Sequence, residues 1–282
     1  MAMAAEKYTE DQISPRNFQR LSDHIYDYSG IKMPVTKRTM LEGRLRRRLR
    51  VTGHATLDAY CTYLFDDDGL ADEGIALIDA VTTNKTDFYR EAAHFGFMTD
   101  VAIPALLERG TRKIRAWSSA CSTGAEPYTM AMVLQDAAGP RKLFDYSILA
   151  TDLSTEVLEA ARLGIYPDDF VQAVPALQRK RYVMSSVNPK ARRSRISPAL
   201  RAKVGYARLN LMDSAYQGVE PQDLIFCRNV LIYFDKKTQA QVLQRLCDRL
   251  APGGYLFIGH SESIAGLDLP VRPVSGTVFI KE

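Results

Sequence analysis

At 282 residues the chain is about twice the usual single-domain length, so one large domain and one smaller one are expected. Apolar residues make up 46% and charged residues 25%, a globular balance that excludes a disordered or membrane-embedded chain. The net charge of +4 excludes little by itself, but its distribution along the chain is uneven.

No apolar run approaches the roughly 20 residues a spanning helix needs, and the opening MAMAAEKYTEDQ lacks the basic-then-apolar order of a secretion signal. A cytoplasmic protein is expected, with residues before about Tyr8 disordered. Cys61, Cys121, Cys227 and Cys247 show no CxxC spacing, so reduced thiols are expected rather than a zinc site or a disulfide framework. His24, His54, His94 and His260 contain no local metal pair, which favours metal-free chemistry.

In chain order, Phe18, Leu21, Ile25 and Tyr28 recur at helical steps and stop before Gly30, a natural terminator. A second helix is predicted from about Thr36 to Val51, with Leu41, Leu45 and Leu49 on one stripe. Leu57, Tyr60 and Leu64 mark a third, and Ile75, Ile78 and Val81 a fourth. With no strand signal before about residue 85, residues 1–83 read as a small helical domain. Strands then alternate with helices, the pattern of a parallel sheet covered on both faces, so 84–282 reads as an α/β domain. Strands are predicted at Ile114 to Ala120, Tyr146 to Thr151, Val204 to Leu209, Leu224 to Cys227 and Tyr255 to Ile258, with a final hairpin from Val271 to Ile280 turning at Ser275-Gly276. A basic insert, about residues 174–206, is expected to hold a short antiparallel sheet in which SRIS pairs with ALRAKVGYARLN.

In an open parallel sheet, ligands bind beyond the carboxyl ends of the strands, where the strand order reverses. The first strand runs into SSACSTGAEPY (Ser118 to Tyr128), whose small residues let backbone turn closely around a ligand, and Pro127 suits the start of a helix. The second ends at Asp152, an acid placed to accept ribose hydroxyls or, more plainly, to cap the next helix. Asn210 and Asn229 follow the third and fourth strands, and their amides suit an adenine edge.

Six segments together resemble the CheR-type chemotaxis receptor methyltransferases: VTTNKTDFYRE (Val81 to Glu91), WSSACSTGAEPY (Trp117 to Tyr128), ATDLS (Ala150 to Ser154), LNL (Leu209 to Leu211), CRNVLIYF (Cys227 to Phe234) and FIGHSES (Phe257 to Ser263). The resemblance extends over nearly the whole chain from about Ile13. It implies a class I S-adenosylmethionine (SAM)-dependent methyltransferase fold, Rossmann-like and mostly parallel with a C-terminal antiparallel hairpin, preceded by a helical domain and carrying an inserted antiparallel β-subdomain. It further implies that Asn84, Thr86, Arg90, Glu126, Asp152, Asn210, Leu211, Asn229 and Val230 line the SAM site, S-adenosylhomocysteine being the product. Asp152 would hold the ribose, and Arg90 with Tyr233 would face the transferred methyl group. The implied partners are methyl-accepting chemotaxis receptors, some of which present a C-terminal tether peptide to the inserted sheet.

Methyl ester formation on glutamate needs no strong base, because a side chain of pKa about 4.3 is already an anion near neutral pH. Placement could then supply on the order of 7–11 kcal/mol. Arg90 offers a rigid fork for one carboxylate edge, a positioning role shared with the Tyr233 hydroxyl. The second predicted helix adds Lys37, Arg38, Arg44, Arg46, Arg47, Arg48 and Arg50 against the single acid Glu42. The leucines take one face, so the cations are expected to project outward, with Arg44, Arg47, Arg48 and Arg50 docking an acidic receptor helix. Arg179, Lys180, Arg181, Lys190, Arg192, Arg193 and Arg195 form a second basic stretch in the insert.

A competing reading is a nucleic-acid methyltransferase with a basic phosphate-binding surface. No aromatic stripe accompanies the arginines, and Arg228-Asn229-Val230-Leu231 stands where an NPPY-type segment would. A non-catalytic SAM-binding adapter is the third, opposed by the presence of both Arg90 and Tyr233. GHSES (Gly259 to Ser263) lacks the second glycine of a hydrolase nucleophile turn and reads as a structural loop. Trp117 is expected to pack beside the first strand.

Overall fold

The structure, a computed structural model, describes residues 11–282; the expectation of disorder before Tyr8 lies outside them. By its contacts the chain divides into two units. One runs to Thr83 and takes in Tyr233–Asp235, and the other holds Asn84–Ile232 and Lys236–Glu282.

Among the described residues the first unit is built on four α-helices, α1 (Pro15–Ser29), α2 (Arg38–Thr52), α3 (Leu57–Asp66) and α4 (Leu70–Val81). Local chemistry sets their ends. Ser14 accepts the Asn17 N–H to start α1, Pro15 fills the position where no amide hydrogen is needed, and Gly30 ends the helix at φ 72°. Phe18, Leu21 and Ile25 of α1 pack with Leu41, Leu45 and Leu49 of α2, with Tyr60 and Leu64 of α3 and with Leu77 of α4 in one buried cluster. Truncating one such leucine to alanine typically costs roughly 2–5 kcal/mol, so these spacings carry much of the unit's stability.

The arginines of α2 do not all project outward. Arg48 grips the carboxylate of Glu73 with two bonds of 2.6 and 2.8 Å, and Glu73 also accepts the Tyr60 hydroxyl at 2.9 Å. Arg44 donates to the carbonyls of Val81 and Thr82 and to Thr83 Oγ1, securing the end of α4. Arg38 meets the buried carboxylate of Glu42 at 3.1 Å. The compensating acid for Arg48 comes from α4, a partner that the periodicity of α2 alone does not reveal. Arg47 and Arg50 remain exposed.

The second unit is organised by a seven-stranded sheet in the order β6-β2-β1-β7-β8-β10-β9. Its strands are β1 (Lys113–Ser118), β2 (Asp145–Asp152), β6 (Val204–Arg208), β7 (Gln222–Cys227), β8 (Leu250–Ile258), β9 (Val271–Ser275) and β10 (Val278–Lys281). The first five of these pair in parallel, and β10 pairs antiparallel with both β8 and β9. From β1 the chain builds outward to β2 and β6, then returns to the other side of β1 with β7 and β8, so the strand order reverses between β1 and β7. Helix α5 (Ala125–Ala138) follows β1 directly, and α6 (Thr155–Leu163) follows β2. Residues Tyr128 to Leu134 of α5 are all buried, which explains why its sequence lacks a polar face.

A separate three-stranded antiparallel sheet has the order β3-β5-β4, from β3 (Ile165–Pro167), β4 (Val183–Ser185) and β5 (Arg193–Ile196). The SRIS segment therefore pairs with β3 and β4, not with ALRAKVGYARLN. The latter segment contributes β6 to the large sheet through five registered partners on β2. The three residues of β3 are too few for a periodic signal, which is why the sequence places the small sheet later than it begins.

The contrast between Arg48 and Arg50 is open to measurement. Arg48→Ala leaves the largely buried Glu73 without its cation and should cost roughly 2 kcal/mol of unfolding free energy, less than a fully buried pair because Arg48 keeps some exposure. Arg50→Ala should stay within about 0.5 kcal/mol of the parent. Urea denaturation of the two variants gives the comparison, and equal values would mean that the Glu73 contact carries no stability.

Candidate functional site

The residues singled out in the second unit gather at the carboxyl ends of the strands, on both sides of the β1/β7 reversal. The turn after β1 carries two left-handed residues, Ser122 at φ 49° and Gly124 at φ 91°. A side chain at Gly124 would bring its Cβ within 2.9 Å of Ala161 Cβ and 3.0 Å of the Tyr166 hydroxyl, so only glycine lets the turn lie this close to α6. Asp152, the last residue of β2, accepts the Ser122 N–H at 2.8 Å and the Ser154 N–H at 3.0 Å. The side-chain cap of α6 is Ser154, not Asp152. Ser122 Oγ donates to the Asn84 carbonyl at 2.8 Å, so one turn residue ties Asn84 to Asp152.

A second group forms around Arg90. Tyr89 and Glu91 both adopt positive φ, 56° and 55°, with Arg90 between them, and Phe88 anchors the segment against Tyr166 and Phe170. The Arg90 side chain is half-buried and donates to the Lys85 carbonyl at 3.0 Å; Thr86 is half-buried in the same segment. Glu126, in the first turn of α5, accepts the Ser118 hydroxyl at 2.7 Å and the Arg228 guanidinium at 2.9 Å. Asn229 adopts φ 58°, with its amide donating to Glu91 Oε1 at 3.0 Å and Val230 half-buried beside it.

Past β6, Asn210 turns its amide oxygen onto the Met212 N–H at 3.0 Å, and the carbonyl of the buried Leu211 accepts from Tyr216 and Arg245. Asn210 and Asn229 each commit one atom of the amide within the protein, the Asn210 oxygen to Met212 and the Asn229 nitrogen to Glu91. Tyr233 closes a short 3-10 turn, Leu231–Tyr233, and groups with the first unit, where its carbonyl accepts the Lys32 N–H at 3.2 Å.

Three functional positions were not singled out. Glu262 sends a buried carboxylate to the N–H groups of Gly259, Asn229 and Leu231 at 2.6, 3.0 and 2.7 Å, fixing the segment after β7. Burial pushes its carboxyl up from the ordinary value even though these N–H groups pull the other way. Gly259 packs so closely that a Cβ would lie 2.6 Å from the Asn229 amide. The other two are Glu91 and Arg228, which are joined at 3.0 Å. Burial alone would raise the Glu91 carboxyl, but the Asn229 and Arg228 bonds and the Arg228 charge bring it down to about 2. Each of the three lies inside a quoted motif, but only Arg228, directly after the apolar run of β7, carried a local signal.

A CheR methyltransferase SAM-binding domain model matches residues 84–280, and a CheR methyltransferase all-alpha domain model matches residues 16–82. The chain belongs to the CheR methyltransferase family. It is 37% identical to chemotaxis protein methyltransferase 2 of Pseudomonas aeruginosa over 93% of this chain and 92% of that one. Identity to the chemotaxis protein methyltransferase of Escherichia coli is 40%, over 91% of this chain and 87% of the relative. The Borreliella burgdorferi chemotaxis protein methyltransferase is 38% identical over 92% and 90%. The protein is thus a SAM-dependent methyltransferase of chemotaxis, with the class I fold and the helical and inserted parts that the family resemblance implied.

The donor set fits SAM. Glu126 and Asp152 would offer carboxylates to an ammonium and a ribose diol, Asn84, Asn210 and Asn229 would offer amide groups, and the 14-residue α5 begins at the glycine turn.

Folding also brings together Glu91, His94 and His260, a trio with metal-ligating atoms within 4.8 Å of one another that no sequence spacing announced. The Glu91 oxygens already accept from Arg228, Asn229 and the His260 N–H, and a dication there would sit beside a guanidinium. The arrangement favours an ion network over a metal centre.

Burial, followed by the Arg228 charge, holds the His94 imidazole down at about 4, partly opposed by Glu91. Since this lies below the ordinary 6.5, the unfolded chain takes up the proton first. The stability His94 contributes is complete above about pH 6.5 and is lost as pH falls toward 4. His94→Gln, which can still meet Thr277, should therefore show a shallower fall in melting temperature between pH 7 and 4.5 than the parent. Parallel profiles would show that His94 does not set the acid limb.

Proposed function

We propose that this protein forms methyl esters on glutamate side chains of methyl-accepting chemotaxis receptors, acting in the cytoplasm. The observation that carries the reading is the Arg90 segment: Arg90 stands between two left-handed residues, its carbonyl accepts from Arg228, which also meets Glu126, and the adjoining Glu91 accepts from Asn229. In this reading Asn84, Thr86, Arg90, Glu126, Asp152, Asn210, Leu211, Asn229 and Val230 hold SAM, and Arg90 and Tyr233 serve the acceptor. Bound SAM supplies an electrophilic methyl group on a positively charged sulfur.

The chain's own residues have little proton chemistry to perform, because the acceptor carboxylate is ionised near neutral pH. Arg90 orients one carboxylate edge and leaves the other oxygen to attack; Tyr233 contributes a hydroxyl to the same orientation. The backbone conformation on either side of Arg90 limits its reach, which supports a positioning role. Among the described residues no helix is long and apolar enough to cross a membrane, so receptor contact falls to surface groups.

Arg47 and Arg50 present charge outward from α2 and suit an acidic receptor helix, whereas Arg44 and Arg48 shape that face from within. A receptor tether would fit the small sheet by strand addition, since β4 is paired on one side only and exposes Met184.

Incubation with labelled SAM and receptor-containing membranes should transfer label that mild base releases as methanol. Label that survives base would point to an amine or a nucleobase instead. Arg90→Ala should bind S-adenosylhomocysteine and melt like the parent, yet lose at least about a hundredfold in turnover; full activity would reject the assignment. Receptor methylation should also decline as salt rises from about 50 to 300 mM while cofactor affinity stays level. Equal salt sensitivity of both would remove the docking role of α2.

A further inference from the structure

Arg228 is the most deeply buried charge in the second unit's pocket region, with 1% of its side chain exposed. Its NH1 group meets Glu126 Oε2 at 2.9 Å, and its NH2 group meets Glu91 Oε2 at 3.0 Å and the Arg90 backbone carbonyl. Phe95 and Phe226 lie along the guanidinium, with ring centroids 5.6 and 5.9 Å away. Glu91 in turn accepts from the Asn229 amide, and Glu126 from Ser118. A single side chain thereby touches the backbone of Arg90, the carboxylate of Glu126 and, through Glu91, the amide of Asn229.

We infer that Arg228 is the positioning residue of the methyl-transfer site, setting the Arg90 segment and the cofactor-facing Glu126 in register with each other. The inference rests on the reading that Arg90 and Glu126 serve the SAM pocket. Arg228 itself is walled off and touches neither cofactor nor acceptor; it acts through the groups it holds. Arginine is required by geometry. The three acceptors are divided between the two terminal nitrogens of the fork, NH1 taking Glu126 and NH2 taking Glu91 and the Arg90 carbonyl, a division that the single compact ammonium of lysine cannot reproduce. The two carboxylates flank β1 in the chain, Glu126 following it and Glu91 preceding it in the Arg90 segment, while Arg228 follows β7, so no local element could fix them to each other.

The two arms of the network predict different losses. Glu91→Gln keeps shape and the Asn229 neighbour but removes the charge that ties Arg228 to the Arg90 segment; it should lower kcat about thirtyfold with cofactor Kd within about threefold. Glu126→Gln should raise the Kd for S-adenosylhomocysteine about tenfold or more. Arg228→Lys keeps the charge and loses the fork, and should show both defects, with kcat reduced about a hundredfold in protein that still melts cooperatively. Calorimetry with S-adenosylhomocysteine, turnover on receptor membranes and thermal melts of the full chain provide the three readouts. A purely structural role predicts a lowered melting temperature with kcat and Kd unchanged in the folded fraction, and that result overturns the inference. Should Arg228→Lys not fold, the two glutamine variants decide: parental kcat in Glu91→Gln together with parental Kd in Glu126→Gln also overturns it. Failure of the parent protein to bind S-adenosylhomocysteine would count against the methyltransferase reading instead, so the two failures are distinct.

Discussion

Taking a guanidinium out of water costs several kcal/mol unless its charge and its hydrogen bonds are met where it lies. Arg228 is almost wholly removed from solvent, and two carboxylates meet it from different parts of the chain. The positions of Glu91, Glu126 and the Arg90 backbone follow from that requirement, since moving any of them leaves a buried charge unpaired. Burial first and then the Arg228 charge suppress the His94 imidazole, and the same cation joins the Asn229 bond in depressing the Glu91 carboxyl against burial. An arginine is also charged at every pH a protein meets, so the network does not switch off with acidity until its carboxylates protonate.

The sheet explains why the network can exist. Where the strand order reverses between β1 and β7, the following segments part to opposite sides and leave a crevice at the carboxyl ends. Ser119 donates to the Phe226 carbonyl through both its N–H and its hydroxyl, holding the two strand ends together just below the opening. Glu262 performs a matching task on the far side by collecting three backbone N–H groups. Turns that would otherwise be soft are thereby fixed by buried side chains.

Much of this was legible in the residues. The helices of the first unit and the strands of the large sheet follow apolar periodicity, because their stability comes from burial of one face or both. Trp117 is fully buried in β1, with its indole N–H on Thr151, in keeping with its reading as core. Illegible features were those made by partners distant in sequence. The Arg48 pairing with Glu73, the joining of β5 to β3, and the convergence of Glu91, His94 and His260 all depend on tertiary contact, to which periodicity is blind. Asn229 shows the same limit: its left-handed backbone and its bond to Glu91, 138 residues away, were not legible from its residue type.

The internal pairing of Arg44 and Arg48 has a kinetic corollary. A helix face that spends part of its positive charge within the fold presents a shallow electrostatic well, screened over about 8 Å at physiological ionic strength. Shallow wells speed encounter without prolonging residence. If α2 is the docking surface proposed above, each visit to a partner would be brief, and turnover would depend on how often the two meet rather than on how long they stay together.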